Sequence, residues 1–180
     1  MGEKIIVNRK VVLGIDPGLS RTGWAILKQE NNKIIPVIFG CIETNSNDIL
    51  PNRLCFIYNQ LNKIINKYKP EVIALEELYF PSKFKSSGLP LYPRTIFATS
   101  QARGIVLLLS AKKRINVVEY NPKSVKISIT GYGNADKTQV LNMVKRILGL
   151  KEINGPDDTS DAIAIALCHL YTKNFHNMKE

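Results

Sequence analysis

The chain has 180 residues, 44% hydrophobic and 22% charged, a size and mix that support one globular domain with a sizeable core. Its 25 Lys and Arg against 15 Asp and Glu leave a formal charge of +10, which favours a polyanionic partner, nucleic acid first, although a Lys-, Asn- and Ile-rich composition raises the same charge without one. Cys41, Cys55 and Cys168 are odd in number and share no close spacing, so neither a disulfide framework nor a CxxC zinc site is indicated, and no apolar run suits a signal peptide or a membrane span, so a cytoplasmic protein in a reducing compartment is expected.

Residues 10 to 16 and 22 to 28 read as strands flanking a turn, and IIPVIFGCIET at 34 to 44 reads as a third, so the chain opens as an antiparallel meander. The first strand ends on Asp16, followed at once by Pro17 and Gly18. A carboxylate closing a buried run is costly unless a cation meets it. Asp-Pro-Gly is also plain turn chemistry, in which glycine supplies a positive φ. A helix starting at Asp48 or Pro51 carries Leu54, Ile57, Tyr58, Leu61, Ile64 and Ile65 on one stripe and stops at KYKP.

EVIALEELYF, residues 71 to 80, holds a central parallel strand over 72 to 76, and PSKFKSSGLPLYP at 81 to 93 reads as a surface loop. A helix over 95 to 113 has an apolar middle and a cationic last turn, the polarity its dipole favours. INVVEYN is then a strand, and PKSVKISITG a short helix and turn. ADKTQVLNMVKRILGL is a helix capped near Asn134 or Asp136, and DDTSDAIAIALCHLYTKN closes the fold as another. The order predicts an α/β fold with a mixed sheet, three antiparallel strands followed by parallel ones, and helices on both faces. One domain over residues 1–180 is expected, with flexible ends at 1–9 and 174–180.

Glu76 and Glu77 close the strand at the edge where open α/β sheets place ligands, and alternation lets only one of them face a site. Asp157, Asp158 and Asp161 open the closing helix, with Asp158 and Asp161 on one face. Acidic residues there also complement the helix dipole whether or not they bind anything. Three acidic groups at element ends nevertheless predict convergence. Carboxylates about 4 Å apart repel by roughly 1 to 4 kcal/mol, so such a cluster needs a cation. A set of oxygen ligands alone suits Mg²⁺ or Mn²⁺ rather than zinc. Cys168 and His169, in an Ala-rich helix, read as core or rim residues.

The ordered set GIDPG, ALEELYF, SQARG, VKISITGYGNADKTQV and DTSDAIAIALCH, from about Val11 to Thr172, resembles the bacterial RuvC-type Holliday junction resolvases, which have a ribonuclease H-like fold. GIDPG alone is unspecific, because ATPases of the actin and Hsp70 class open similarly; the ordered set is specific. The resemblance implies metal ligands at Asp16, Glu76, Asp158 and Asp161, with Glu77 and Asp157 as neighbours. At the position of Asp158 some relatives carry histidine. Tyr79 matches an aromatic position at the unpaired centre of the junction, and Lys126 and Lys137 match basic positions near the scissile phosphate. From the residues alone, Tyr79 also reads as a core tyrosine and both lysines as a solvated face.

The stretch from Pro81 to Thr95 departs from the family pattern, being longer and richer in proline, so no junction contact carries over to it. The helix over 95 to 113 resembles the family's dimer element, with Ile105, Leu108 and Leu109 available for burial, between two copies or simply in the core of a monomer. Implied with these are two Mg²⁺ ions per site, replaceable by Mn²⁺, and hydrolysis of two opposed strands to 5′-phosphate and 3′-hydroxyl ends. A homodimer and a branch-migration motor as partner are implied as well. Two alternatives share parts of the pattern: another ribonuclease H-like nuclease acting on RNA or R-loops, and a non-catalytic junction-binding protein.

Overall fold

A computed structural model describes residues 10–31, 33–78 and 94–177. β1 (Lys10–Asp16) pairs antiparallel with β2 (Arg21–Glu30), and β2 with β3 (Lys33–Glu43), the expected meander. α1 (Leu50–Tyr68) leads to β4 (Val72–Glu76), parallel to β1, and α2 (Arg94–Lys113) leads to β5 (Asn116–Tyr120), parallel to β4. α3 (Pro122–Thr130), α4 (Lys137–Leu148) and α5 (Asp157–Asn177) follow. The sheet order β3-β2-β1-β4-β5 places β1 at the centre, flanked by β2 and by the strand that ends on Glu76.

Both faces of the sheet are covered, which is why β1 and β4 read as continuous apolar runs. Leu13, Ile15, Ile73 and Leu75 pack with Ile57 and Leu61 of α1 and Val106 and Leu109 of α2. On the other face Val12, Ala74 and Leu27 pack against α5, buried from Ala162 through Leu170. Side chains alternate along a strand, so Asp16 and Glu76 point to the α5 side with Val12 and Ala74.

Two glycines let α5 lie close to that face. A Cβ at Gly14 would stand 2.2 Å from the carbonyl oxygen of Ala162, and one at Gly23 would stand 1.8 Å from that of Asp158. The turn after Asp16 differs from the positive-φ expectation: Gly18 is not among the positive-φ glycines, and its lack of a Cβ instead leaves room for the Arg21 carbonyl oxygen, which a Cβ there would meet at 2.2 Å. The Thr22 hydroxyl ties this turn down by donating to Gly18 O at 2.7 Å.

α1 begins at Leu50, between the two expected starts, with Ile49 extended as its cap and Pro51 in the first turn, where a missing N–H is tolerated. α4 is capped by Asp136 rather than Asn134, in a capping box: Asp136 Oδ1 accepts from Gln139 N at 2.8 Å and Gln139 Oε1 from Asp136 N at 2.9 Å. Lys137 is thereby the first residue of that helix. Cys168 and His169 are buried as expected, with His169 Nδ1 2.8 Å from the Tyr120 hydroxyl. α5 continues to Asn177, while residues 1–9 and 178–180 lie outside the described residues. Among the described residues no helix is long and apolar enough to cross a membrane.

Candidate active site

The register of β1 on β4 pairs Ile15 with Leu75, so the next residues, Asp16 and Glu76, end adjacent parallel strands side by side. Their carboxyl groups share a hydrogen bond. The N-terminal end of α5, seated over Gly23, brings Asp158 and Asp161 to the same end of the sheet, close enough that both act on Asp16. The four expected carboxylates thus come together. Glu77 does not join them: it lies past the strand end, exposed, with its N–H on Tyr120 O at 2.9 Å.

Burial is the largest influence on Asp16, and the charges of Glu76, Asp161 and Asp158 add to it, pushing its carboxyl up to about 8. Glu76 is raised by burial too, while its hydrogen bond with Asp16 opposes this. Asp161 is raised by burial and eased by the nearby Lys137. The Lys137 ammonium lies 2.9 Å from Asp157 Oδ2 and 3.3 Å from Asp161 Oδ2, which raises the lysine and lowers Asp157.

Arg21 Nε stands 3.2 Å from Asp158 Oδ2, near enough to offset its charge but outside hydrogen-bond geometry, and that buried oxygen has no hydrogen-bond partner. Among the described residues no three acidic, cysteine or histidine side chains form a ready-made metal cage, and Lys137 and Arg21 pair with the helix carboxylates. Sequence reasoning missed these two roles, Arg21 as partner of Asp158 and Lys137 as partner of two aspartates. The basic position of Lys137 was visible; its carboxylate partners, on a different helix, were not.

Lys126 is half-buried on α3, and its carbonyl accepts from the Thr130 hydroxyl at 2.8 Å. Tyr79 and residues 81–93 lie outside the described residues. Beside Glu76 is a cavity of about 200 Å³ lined in part by Pro17, Glu77, Thr99 and Arg103. On α2, Leu109 is fully buried and Ile105 packs against the core, so these two are not free for a partner, whereas Leu108 is 51% and Phe97 61% exposed.

The family described as crossover junction endodeoxyribonuclease RuvC matches residues 12–169. The chain belongs to the RuvC family. The crossover junction endodeoxyribonuclease RuvC of Finegoldia magna is 44% identical over 169 residues, which cover 94% of this chain and 98% of the relative. That of Endomicrobium trichonymphae is 46% identical over 167 residues, covering 92% and 83%. Thermus thermophilus RuvC, solved in complex with a Holliday junction substrate, superposes with a TM-score of 0.81 at 28% identity, over 93% of this chain and 96% of that one. The five-stranded mixed sheet with helices on both faces is therefore the ribonuclease H-like fold of RuvC.

Proposed function

We propose that the protein is a junction-resolving endonuclease: it cuts two opposed strands of a four-way DNA junction by divalent-metal-dependent hydrolysis, in homologous recombination and repair. The observation that carries this reading is the meeting of Asp16, Glu76, Asp158 and Asp161 at one end of the sheet, in a chain that belongs to RuvC.

The donor set fits a hard divalent ion. All four side chains offer oxygen alone, three have raised pKa values that a cation would relieve, and Asp158 Oδ2 is buried with no hydrogen bond. Mg²⁺, two per site and replaceable by Mn²⁺, would be held by Asp16, Glu76, Asp158 and Asp161. When bound, such ions supply an activated water for in-line attack and stabilise the leaving 3′-oxygen, giving 5′-phosphate and 3′-hydroxyl ends. For its part the chain orients these carboxylates through the β1–β4 register and the seat of α5, and the proton held between Asp16 and Glu76 must leave for an ion to bind. Lys137, held between Asp157 and Asp161, would contact phosphate on parting from both carboxylates.

Lys126 and Lys137 are proposed as phosphate contacts, and Tyr79 as a stacking residue at the junction centre. The exposed Phe97 and Leu108 of α2 support a homodimer, whose two-fold axis would match a four-way junction. A branch-migration motor is the proposed further partner, and residues 1–180 the single catalytic domain. The test is competition among a four-way junction, linear duplex and RNA–DNA hybrid with Mg²⁺. Preferential junction cleavage supports this reading; preference for the hybrid would make the protein a different ribonuclease H-like nuclease.

A further inference from the structure

We propose that Arg103 is a positioning residue that aims Glu76 at Asp16 by clamping the ends of two neighbouring strands to α2. The inference rests on the metal site proposed above and adds a residue to its support. Arg103 Nη1 donates to the backbone oxygen of Glu76 at 2.9 Å, and Nη2 pairs with Glu119 of β5. Its side chain is only 13% exposed. Leu75 and Glu119 are register partners, so the two contacts fall on adjacent strands at the same level of the sheet.

Glu76 is the last residue of β4. Beyond this point Glu77 N–H to Tyr120 O continues the contact with β5, while the carbonyl on the near side of the same peptide link is held by Arg103. Holding that carbonyl fixes the orientation of the peptide plane and, through it, the direction in which the Glu76 side chain leaves the backbone. A planar guanidinium presents its donors in a fixed fork and can meet both acceptors together; a lysine ammonium on a flexible stem cannot hold that geometry. The low exposure and the two occupied donors leave Arg103 poorly placed as a phosphate contact. Partners that orient a metal ligand without touching the metal typically matter 10- to 100-fold for metal affinity or activity.

The experiment compares Arg103→Lys, Arg103→Ala and Glu119→Gln with the parent chain. It measures Mn²⁺ affinity by calorimetry without DNA, junction affinity without metal, melting temperature, and single-turnover cleavage of a four-way junction. The expected result is a cooperatively melting Arg103→Lys protein with near-parental junction affinity whose Mn²⁺ affinity and cleavage rate both fall by roughly 10- to 100-fold. Glu119→Gln, which keeps the bond to Glu76, should lose less. If Arg103→Ala does not fold, the other two variants decide. Parental Mn²⁺ affinity and rate in folded Arg103→Lys would overturn the inference, and so would lost junction affinity with Mn²⁺ affinity intact, the mark of a DNA contact. Glu76→Gln in the same series separates the two readings: full cleavage by that variant would defeat the metal site itself, whereas an inactive Glu76→Gln beside an undisturbed Arg103→Lys would defeat only the role of Arg103.

Discussion

Gly23 on β2 seats the backbone of Asp158 on α5: a Cβ at this glycine would stand 1.8 Å from the Asp158 carbonyl oxygen and 2.4 Å from its carbon. The obstacle is backbone on both sides, so a methyl group can be accommodated only by lifting the first turn of α5 from the sheet. That turn carries Asp158, and Asp161 follows directly after it.

Gly23→Ala should therefore cost about 1 to 3 kcal/mol of stability through overpacking, and cleavage should fall by more than the stability loss explains. A displacement of about 1 Å at a reacting centre can cost about 100-fold in rate. Denaturant unfolding beside junction cleavage at a temperature where the variant is fully folded checks this; a folded variant with parental rate would contradict it.

The Asp16 carboxyl, ordinarily at 3.8, is held at about 8 in the folded chain. The folded state thus binds this proton more tightly than the unfolded one. Between about pH 4 and pH 8 the unfolded chain has lost the proton while the folded chain keeps it, so this group lowers the stability of metal-free protein as pH rises. A divalent cation removes that penalty by competing with the proton. The rise in melting temperature on adding Mg²⁺ should accordingly be small near pH 5, grow toward pH 8 and level off above it. A rise that is the same at both ends of this range would show that Asp16 is not part of the ion site.

Lys126→Ala and Lys137→Ala should each reduce the slope of log binding constant against log salt by about 0.9 on duplex arms, if each lysine neutralises one phosphate. Lys137 carries a second expectation, because its ammonium lies between Asp157 and Asp161. Its loss should change the Mg²⁺ dependence of cleavage, while Lys126→Ala should leave that dependence unchanged. Junction binding across a salt series, with a Mg²⁺ titration of rate, measures both; an unchanged slope for either lysine would return it to the solvated surface.

Strand periodicity made much of this site legible. The alternation that buries Leu13 and Ile15 on one face sends Val12 and Asp16 to the other, and the same parity in β4 selects Glu76. Helical spacing placed Asp158 and Asp161 together. What the sequence did not disclose are relations between elements distant in the chain. Gly14 and Gly23 read as ordinary strand residues until α5 is known to cross them, and Lys137 meets partners 20 and 24 residues further on. The run Leu107–Leu108–Leu109 resisted division for a related reason: three consecutive leucines give no periodicity, and only packing shows that Leu109 is core while Leu107 and Leu108 are exposed.

The claim that these carboxylates form one metal-dependent centre is tested most directly by Mg²⁺-dependent cleavage of a synthetic four-way junction, comparing the parent chain with Asp16→Asn, Glu76→Gln, Asp161→Asn and Glu77→Gln. The account predicts symmetric nicking by the parent in the presence of Mg²⁺. It predicts no detectable cleavage by the first three variants despite near-parental junction binding, because each loses site charge without losing basic surface, and a mild effect at the exposed Glu77. Near-parental cleavage by Glu76→Gln, or equal damage from Glu77→Gln, would contradict it.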